Sequence, residues 1–528
     1  MIRSAHIDSF TRDNLPSQDL WPELINIPAY PQRLNASVEL LDRTIELVGR
    51  EKIALIAPEG EVTYGALLDQ VTALARYFES AGVEAGNRVL LRGPNNASVV
   101  AIWFALLRIG AVVVTTIHLQ RTGELEKIVD IASVQFACVD HRFTEDWNAV
   151  THFKGRTFVY GGADATDLLQ IAASHKGEHT PCDTASDDVS LLAFTSGSTG
   201  LPKATMHFHR DILAIADTFS AHVLRPSSAD IFAGSPPLAF TFGLGALVIF
   251  PFRVGATSLL LEGAPPPVLL EEIAKHRVTT LFTAPTAYRA MLAHIEERKL
   301  PSLHTCVSAG EHLPKSTWEA WHRATGIRII DGIGATEMLH IFISAAGEEI
   351  IPGMTGKVVP GYEAIVVDEE LREVPDGEIG RLAVKGPTGC RYLNDDRQRN
   401  YVAGGWNLTG DLYIKHSNGY FQYQSRSDDM IISSGYNVAA PEVENALLLH
   451  PSVAECAVVG VPDEERGMVV AAYVVLKSQF VGNDQLRKEL QDYVKETIVP
   501  FKYPRVLEFV ETLPKTTTGK LQRFRLKS

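Results

Sequence analysis

The feature that most narrows what this chain can fold into is a short apolar strand running straight into a loop of glycines and hydroxyls. Residues 191–194 (LLAF) lead into Thr195-Ser196-Gly197-Ser198-Thr199-Gly200-Leu201-Pro202-Lys203. The glycines let the backbone curl until its N–H groups point inward, and the hydroxyls add donors. Lys203 adds a compact positive charge. Such a loop suits a polyphosphate. A bare Ser/Gly run is ordinarily only a flexible connection, but a nine-residue string directly after a buried strand is far more specific. It is not a Walker A loop, because Leu201-Pro202 stand where Gly-Lys would have to follow.

A strand that ends in a phosphate loop calls for an α/β setting, and the flanking sequence supplies one. Asn95-Asn96 can cap a helix over 97–108, Gly110 ends it, and AVVVTT (111–116) reads as a buried strand. The pattern recurs as a helix around 268–276, a strand over 278–284 and a helix over 286–297. This predicts a large doubly wound α/β domain over residues 1–427. Within it, 355–425 reads as a small β subdomain with turns such as Pro375-Asp376-Gly377. A small, mobile α+β domain is expected over 428–528. With 528 residues, more than one core is required.

Charge excludes one class of partner. The chain carries 49 basic against 63 acidic residues, a net of −14, and nearly all of that excess falls before residue 429. A broad nucleic-acid surface is excluded, whereas a local polyphosphate site is not. The tail over 515–527 has five basic residues and no acid. Cys138, Cys182, Cys306, Cys390 and Cys456 form no C-x-x-C pair, so buried, reduced thiols are expected. No apolar leader or membrane span is legible, and the expectation is a cytoplasmic protein with no membrane partner, monomer or homodimer.

Further motifs extend the loop into a set. SAGEHLP (308–314), DGIGATEM (331–338), NLTGD (407–411), RSDDMIISSGYNVAAPEVE (426–444) and PKTTTGK (514–520) occur in one order along the chain. Together the chain resembles the adenylate-forming superfamily of acyl-CoA ligases, luciferases and peptide-synthetase adenylation domains. One departure is Ala204, where the family has glycine after Pro-Lys.

The resemblance implies the substrates ATP and coenzyme A with Mg2+, and a role for each motif. Lys203 and the loop Thr195–Gly200 would cradle phosphates. Thr336 would bond the α-phosphate and Glu337 would ligate Mg2+, for which a hard oxygen donor is suited. Gly310-Glu311 and Asp331-Gly332-Ile333 would shape the adenine slot. Asp411 would accept bonds from both ribose hydroxyls, assisted by Arg426. Lys520 would reach the carboxylate and α-phosphate during adenylation. Asp428 would be the hinge about which the small domain turns, bringing Gly435 to the cleft as the passage for the CoA arm. Taken one at a time, each has a plainer alternative: Glu337 capping a helix at 338–342, Asp411 in a turn, Lys520 on the surface, Asp428-Asp429 in a linker.

The acid is addressed by 238–243, Leu-Ala-Phe-Thr-Phe-Gly. Amino-acid-activating relatives usually carry Asp where Thr241 stands, and a buried ammonium without a counter-ion is costly. Phe240 and Phe242, with Gly243 and Gly245, instead suit a flat aromatic ring, the plainer alternative for the Phe pair being ordinary core packing; Ala309, Gly334 and His340 are assigned to the same acyl pocket. His340 either bonds an ortho substituent or water, or is a satisfied core histidine. His207 and His209 are placed near the substrate carboxylate. Segments 331–342, 235–245 and 4–16 resemble benzoate–CoA ligases and their 2-aminobenzoate relatives. The expectation is an AMP-forming aryl acid–CoA ligase favouring 2-aminobenzoate, then benzoate or salicylate. Two alternatives stand beside it: an enzyme that loads a carrier protein, and an inactive binding homologue.

Overall fold

The computed structural model describes residues 2–195, 201–263, 265–295, 300–427, 429–433, 436–463, 467–515 and 521–527. Two sheets form the frame of the large domain. One has six strands in the order Arg156–Tyr160, Phe136–Asp140, Arg88–Gly93, Val112–Ile117, Val189–Thr195, Lys203–Phe208. All neighbours are parallel except the last pair, where Thr195 lies opposite Lys203. The other has nine strands; its parallel centre runs through Ile329–Gly334, Thr305–Ser308, Thr280–Thr283, Ile231–Gly234, Thr257–Leu259 and Ile53–Ala57. Antiparallel strands close both of its edges.

The helix Ala97–Arg108 packs against strands of both sheets. All of its residues are buried, which explains an apolar surface on every side rather than along one stripe. The Asn96 side chain caps it by accepting from the Val99 N–H at 3.0 Å, and Gly110 turns the chain out with φ +74°. The one charge on this helix, Arg108, is held bidentately by Asp42.

The β subdomain is a five-stranded sheet of Glu363–Val367, Ile379–Lys385, Val402–Ala403, Trp406–Lys415 and Phe421–Arg426, antiparallel throughout. The chain from 355 joins the two sheets: Gly356 bridges Phe421 of the subdomain, and Lys357–Val358 then pairs with Ile341–Ser344 of the nine-stranded sheet. Gly361, at φ +102°, then turns the chain into the subdomain. A further sheet, from Ile431–Ser433 onward, is built on the long pair Val453–Asp463 and Gly467–Leu476. Helices Ala440–Leu448 and Asp484–Thr497 belong to the same packed unit. All five cysteines are free, three buried and two half-buried. Among the described residues no helix is long and apolar enough to cross a membrane.

Candidate active site

The carboxyl ends of strands from both sheets converge on one cleft, the usual place for ligands in open α/β sheets. Thr195 ends its strand there, Ala309 follows Thr305–Ser308, and Gly334 ends Ile329–Gly334. The cavity between the walls is about 810 Å3. That lies near the upper end of the few hundred to roughly 1,000 Å3 of a small-molecule pocket.

At one end sit the charged groups. Lys203 Nζ donates to the Tyr392 hydroxyl at 2.7 Å, and that hydroxyl donates to Glu337 Oε1 at 2.5 Å. The lysine and the carboxylate lie 3.7 Å apart. Burial, then the Glu337 carboxylate, push the Tyr392 phenol up, so it stays protonated and serves as a donor. Lys203 Nζ also lies over the Tyr392 ring, 4.6 Å from its centroid. The Thr195 hydroxyl is buried with no hydrogen-bond partner among the described residues. Ser196–Gly200 lie outside the described residues.

Glu337 does not cap a helix. Thr336–Met338 is a single 3-10 turn, Glu337 is buried, and Ile341–Ser344 is a strand. Between them Leu339 takes φ +68°, ψ −35°, a conformation a bulky L-residue rarely adopts, at a cost of about 1–3 kcal/mol. This bend lets one short segment present Glu337 and His340 to the same cleft. Thr336 is fixed from behind: His207 Nε2 lies 2.8 Å from its carbonyl. Burial lowers the His207 pKa to about 4, so the ring is neutral and its Nε2–H donates. Behind His207, Asp211 and Arg391 form a fully buried ion pair at 2.8 Å.

The next stretch of the cleft is lined by Gly310, Glu311, Asp331, Gly332 and Ile333. Gly310 has φ +88°, which favours glycine. Asp331 Oδ1 is buried without a hydrogen-bond partner, and burial pushes its carboxyl well up. Asp411 and Arg426 face each other across antiparallel strands, with Arg426 Nη1 donating to Asp411 Oδ1 at 3.1 Å and to the Thr409 carbonyl at 3.0 Å. Gly410, at φ +77°, makes way for that guanidinium: a Cβ there would stand 2.9 Å from Arg426 Nη2.

The other end is apolar. Phe240, Thr241, Phe242, Ala309, Gly334 and His340 line it. His340 is 3% exposed and sits among Phe250, Phe219 and Phe242 with centroids at 4.5, 5.5 and 5.7 Å. Neither of its nitrogens makes a well-formed hydrogen bond among the described residues. Burial drives its pKa down to about 3, against a smaller opposing pull from the Phe242 backbone, so the ring is neutral. Gly245 gives it room, since a Cβ there would come 2.4 Å from His340 Cδ2.

Three expected pocket residues stand elsewhere. His209 begins a helix, is fully buried, and accepts a hydrogen bond from the Ala36 N–H at 3.1 Å; it does not line the cleft. His207 is likewise walled off and serves Thr336 instead of a carboxylate. Gly243 lies behind the wall, where a Cβ would strike the Pro237 carbonyl at 2.1 Å. Asp428, Gly435 and Lys520 lie outside the described residues. The flanks of residues 516–520, Lys515 and Leu521, pair with each other and line the cleft. Sequence reasoning missed Tyr392 and Arg397. Both fall in a turn-rich stretch, 386–400, where no periodicity or motif of theirs stands out.

Residues 42–392 match the AMP-binding enzyme family and residues 442–520 its C-terminal domain. The chain belongs to the AMP-binding enzyme family. Among relatives, the benzoate–CoA ligase of Thauera aromatica is 34% identical over 94% of this chain and 96% of its own. The 4-hydroxybenzoate–CoA/benzoate–CoA ligase of Rhodopseudomonas palustris is 33% identical over 93% and 94%. The crystal structure of the anthranilate–CoA ligase AuaEII in complex with anthranoyl-AMP superposes with TM-score 0.90 at 34% identity, covering 94% of this chain and 97% of that one. A benzoate–CoA ligase from Burkholderia xenovorans LB400 superposes with TM-score 0.84 at 32% identity, covering 94% and 100%. This AMP-binding enzyme is an AMP-forming acid–CoA ligase.

Proposed function

We propose that the acid is an aromatic carboxylate, with 2-aminobenzoate favoured over benzoate and salicylate. In the first half-reaction a carboxylate oxygen attacks the α-phosphorus of ATP, the bond to the β-phosphate breaks, and pyrophosphate leaves. In the second, the CoA thiolate attacks the acyl carbonyl and AMP leaves, giving the thioester.

The chemistry needs cations and donors around two anionic reactants, held in register. Lys203, the unpartnered Thr195 hydroxyl and the loop after it suit the phosphates. Thr336 suits the α-phosphate, and Asp411 with Arg426 suits the ribose. Asp331, with an unpartnered carboxyl oxygen in the adenine slot, suits an exocyclic amine. Mg2+ fits the donor set: Glu337 is one buried carboxylate with hard oxygens, and no cluster of three or more His, Cys, Asp or Glu able to hold a metal occurs among the described residues. One carboxylate plus phosphates and water is how this ion is usually held, and it would neutralise phosphate charge. Lys520 is assigned to adenylation, Asp428 to the turn of the small domain, and Gly435 to the passage of the CoA arm. That Lys515 and Leu521 line the cleft supports the first of these.

The choice of acid rests on His340. The acyl end offers no acid among its described lining residues to pair with an α-ammonium, and it is walled by aromatic rings. A neutral imidazole with neither nitrogen in a well-formed hydrogen bond, set in that wall, suits a ring substituent able to donate or accept one hydrogen bond. An anthranoyl adenylate in the AuaEII structure at 34% identity is consistent with this. The test is CoA-dependent AMP release with 2-aminobenzoate, benzoate, salicylate, cyclohexanecarboxylate and palmitate. The expected order of kcat/KM begins with 2-aminobenzoate. Benzoate ahead of it would overturn the ortho assignment, and palmitate ahead of all would overturn the aromatic pocket. Activity only with a phosphopantetheinyl carrier would replace CoA as the acceptor.

A further inference from the structure

We propose that Arg397 is a positioning residue for the phosphate chain of the nucleotide, acting by gripping the exit of the loop that delivers Lys203. The proposal rests on Thr195–Lys203 being the phosphate loop.

The exit of that loop has little else to hold it. Leu201 is 55% exposed, so its side chain is only partly packed. Pro202 has no N–H. The strand ladder begins only at Lys203, and no backbone N–H among the described residues donates to the carbonyls of Leu201 or Pro202. Both carbonyls are taken by one side chain: Arg397 Nη1 donates to Leu201 at 3.0 Å and Nη2 to Pro202 at 3.1 Å.

The guanidinium is itself immobilised. Nε donates to Asp395 Oδ1 at 2.8 Å and Nη2 to Oδ2 at 2.5 Å, and the Arg397 N–H closes the turn on Oδ1 at 2.9 Å. A planar fork pinned along one edge by a carboxylate presents its other donors in a fixed direction, which a lysine cannot do. The same segment carries Tyr392, the partner of Lys203, and Arg397 lines the cleft. The stretch 392–397 therefore holds both the last turn of the loop and the lysine after it.

A glycine-rich loop cradles phosphates only while its N–H groups stay aimed inward, so an untethered exit adds ordering cost to binding. That cost falls on the β- and γ-phosphates. It does not fall on AMP, whose base and ribose are assigned to Asp331 and Asp411 elsewhere in the cleft.

The experiment is calorimetric titration of the full chain with ATP and, separately, AMP, in Arg397→Ala and Arg397→Lys. Arg397→Ala is expected to weaken ATP about tenfold while leaving AMP unchanged. Arg397→Lys restores the charge without the fork and should recover only part of the loss. In steady state, KM for ATP rises and KM for the acid does not. Unchanged ATP affinity in a folded Arg397→Ala protein would overturn the proposal. So would equal losses for ATP and AMP, or full recovery by lysine. If the parent chain binds neither nucleotide, the phosphate-loop assignment fails first; a parent that binds ATP beside an unaffected variant refutes the clamp alone.

Discussion

At the phosphate end of the cleft, Lys203, Tyr392 and Glu337 hold one another at 2.7 and 2.5 Å. At the acyl end, His340 sits among three aromatic rings with neither nitrogen well bonded. The first arrangement is a satisfied polar network, in which every member sets the position of the next. The second is a shaped apolar space with one undecided hydrogen-bonding group. On the proposed assignment, a change at the first end should disturb the reaction itself, whereas a change at the second should alter which acid is accepted and leave the machinery intact.

Four measurements break or sharpen that contrast. The largest effect is expected from Lys520→Ala, which should cut ATP–pyrophosphate exchange on the order of a thousandfold for every acid, while thioester formation from supplied acyl-AMP persists. Equal loss in both half-reactions would sink the division of labour between them. Tyr392→Phe removes the hydroxyl that joins Lys203 to Glu337 and should lower kcat about tenfold with the order of acids unaltered. A reordering of acids would mean that the two ends are not separable.

His340→Ala should do the reverse. The kcat/KM ratio of 2-aminobenzoate to benzoate is expected to fall about tenfold, with KM for ATP unmoved. An unchanged ratio removes His340 from selection. The smallest effect is on stability with pH. His207, His209, His312 and His340 are held neutral by burial, with pKa values near 4, 3, 4 and 3, below the unfolded value of 6.5. Below that value the unfolded chain binds more protons, so stability falls as pH drops from 6.5 towards 4. Each contributes up to about 1.4 kcal/mol per pH unit, partly offset by Asp331, whose raised carboxyl acts in the opposite sense. Melting temperatures across that range check the sign; a flat profile would contradict it.

What was legible in the sequence was local. The helix over 97–108 carried its cap and its terminating glycine in adjacent residues, and the loop after LLAF lay in one continuous string. Contacts assembled from distant segments were not legible. The seat of His340 needs Phe219, Gly245 and Phe250, and the grip on the loop needs residues 395–397. His209 follows the phosphate loop closely in sequence but not in space, because the chain changes element there. The strand ends at Phe208, and the helix that follows turns the imidazole towards Ala36. The sharing of 355–358 between two sheets, Gly356 with Phe421 and 357–358 with the nine-stranded sheet, was not legible, because pairing partners are not written in so short a run.

The bend at Leu339 has one more consequence. Glu337 and His340 line the two ends of the cleft from one short turn, so the same few backbone torsions set the position of both. Thermodynamic reciprocity then fixes a relation that needs no kinetics: whatever factor the acid imposes on ATP affinity, ATP must impose on the affinity for the acid. On the proposed assignment, the choice of ring substituent and the hold on the nucleotide would then be two readouts of a single coupling free energy.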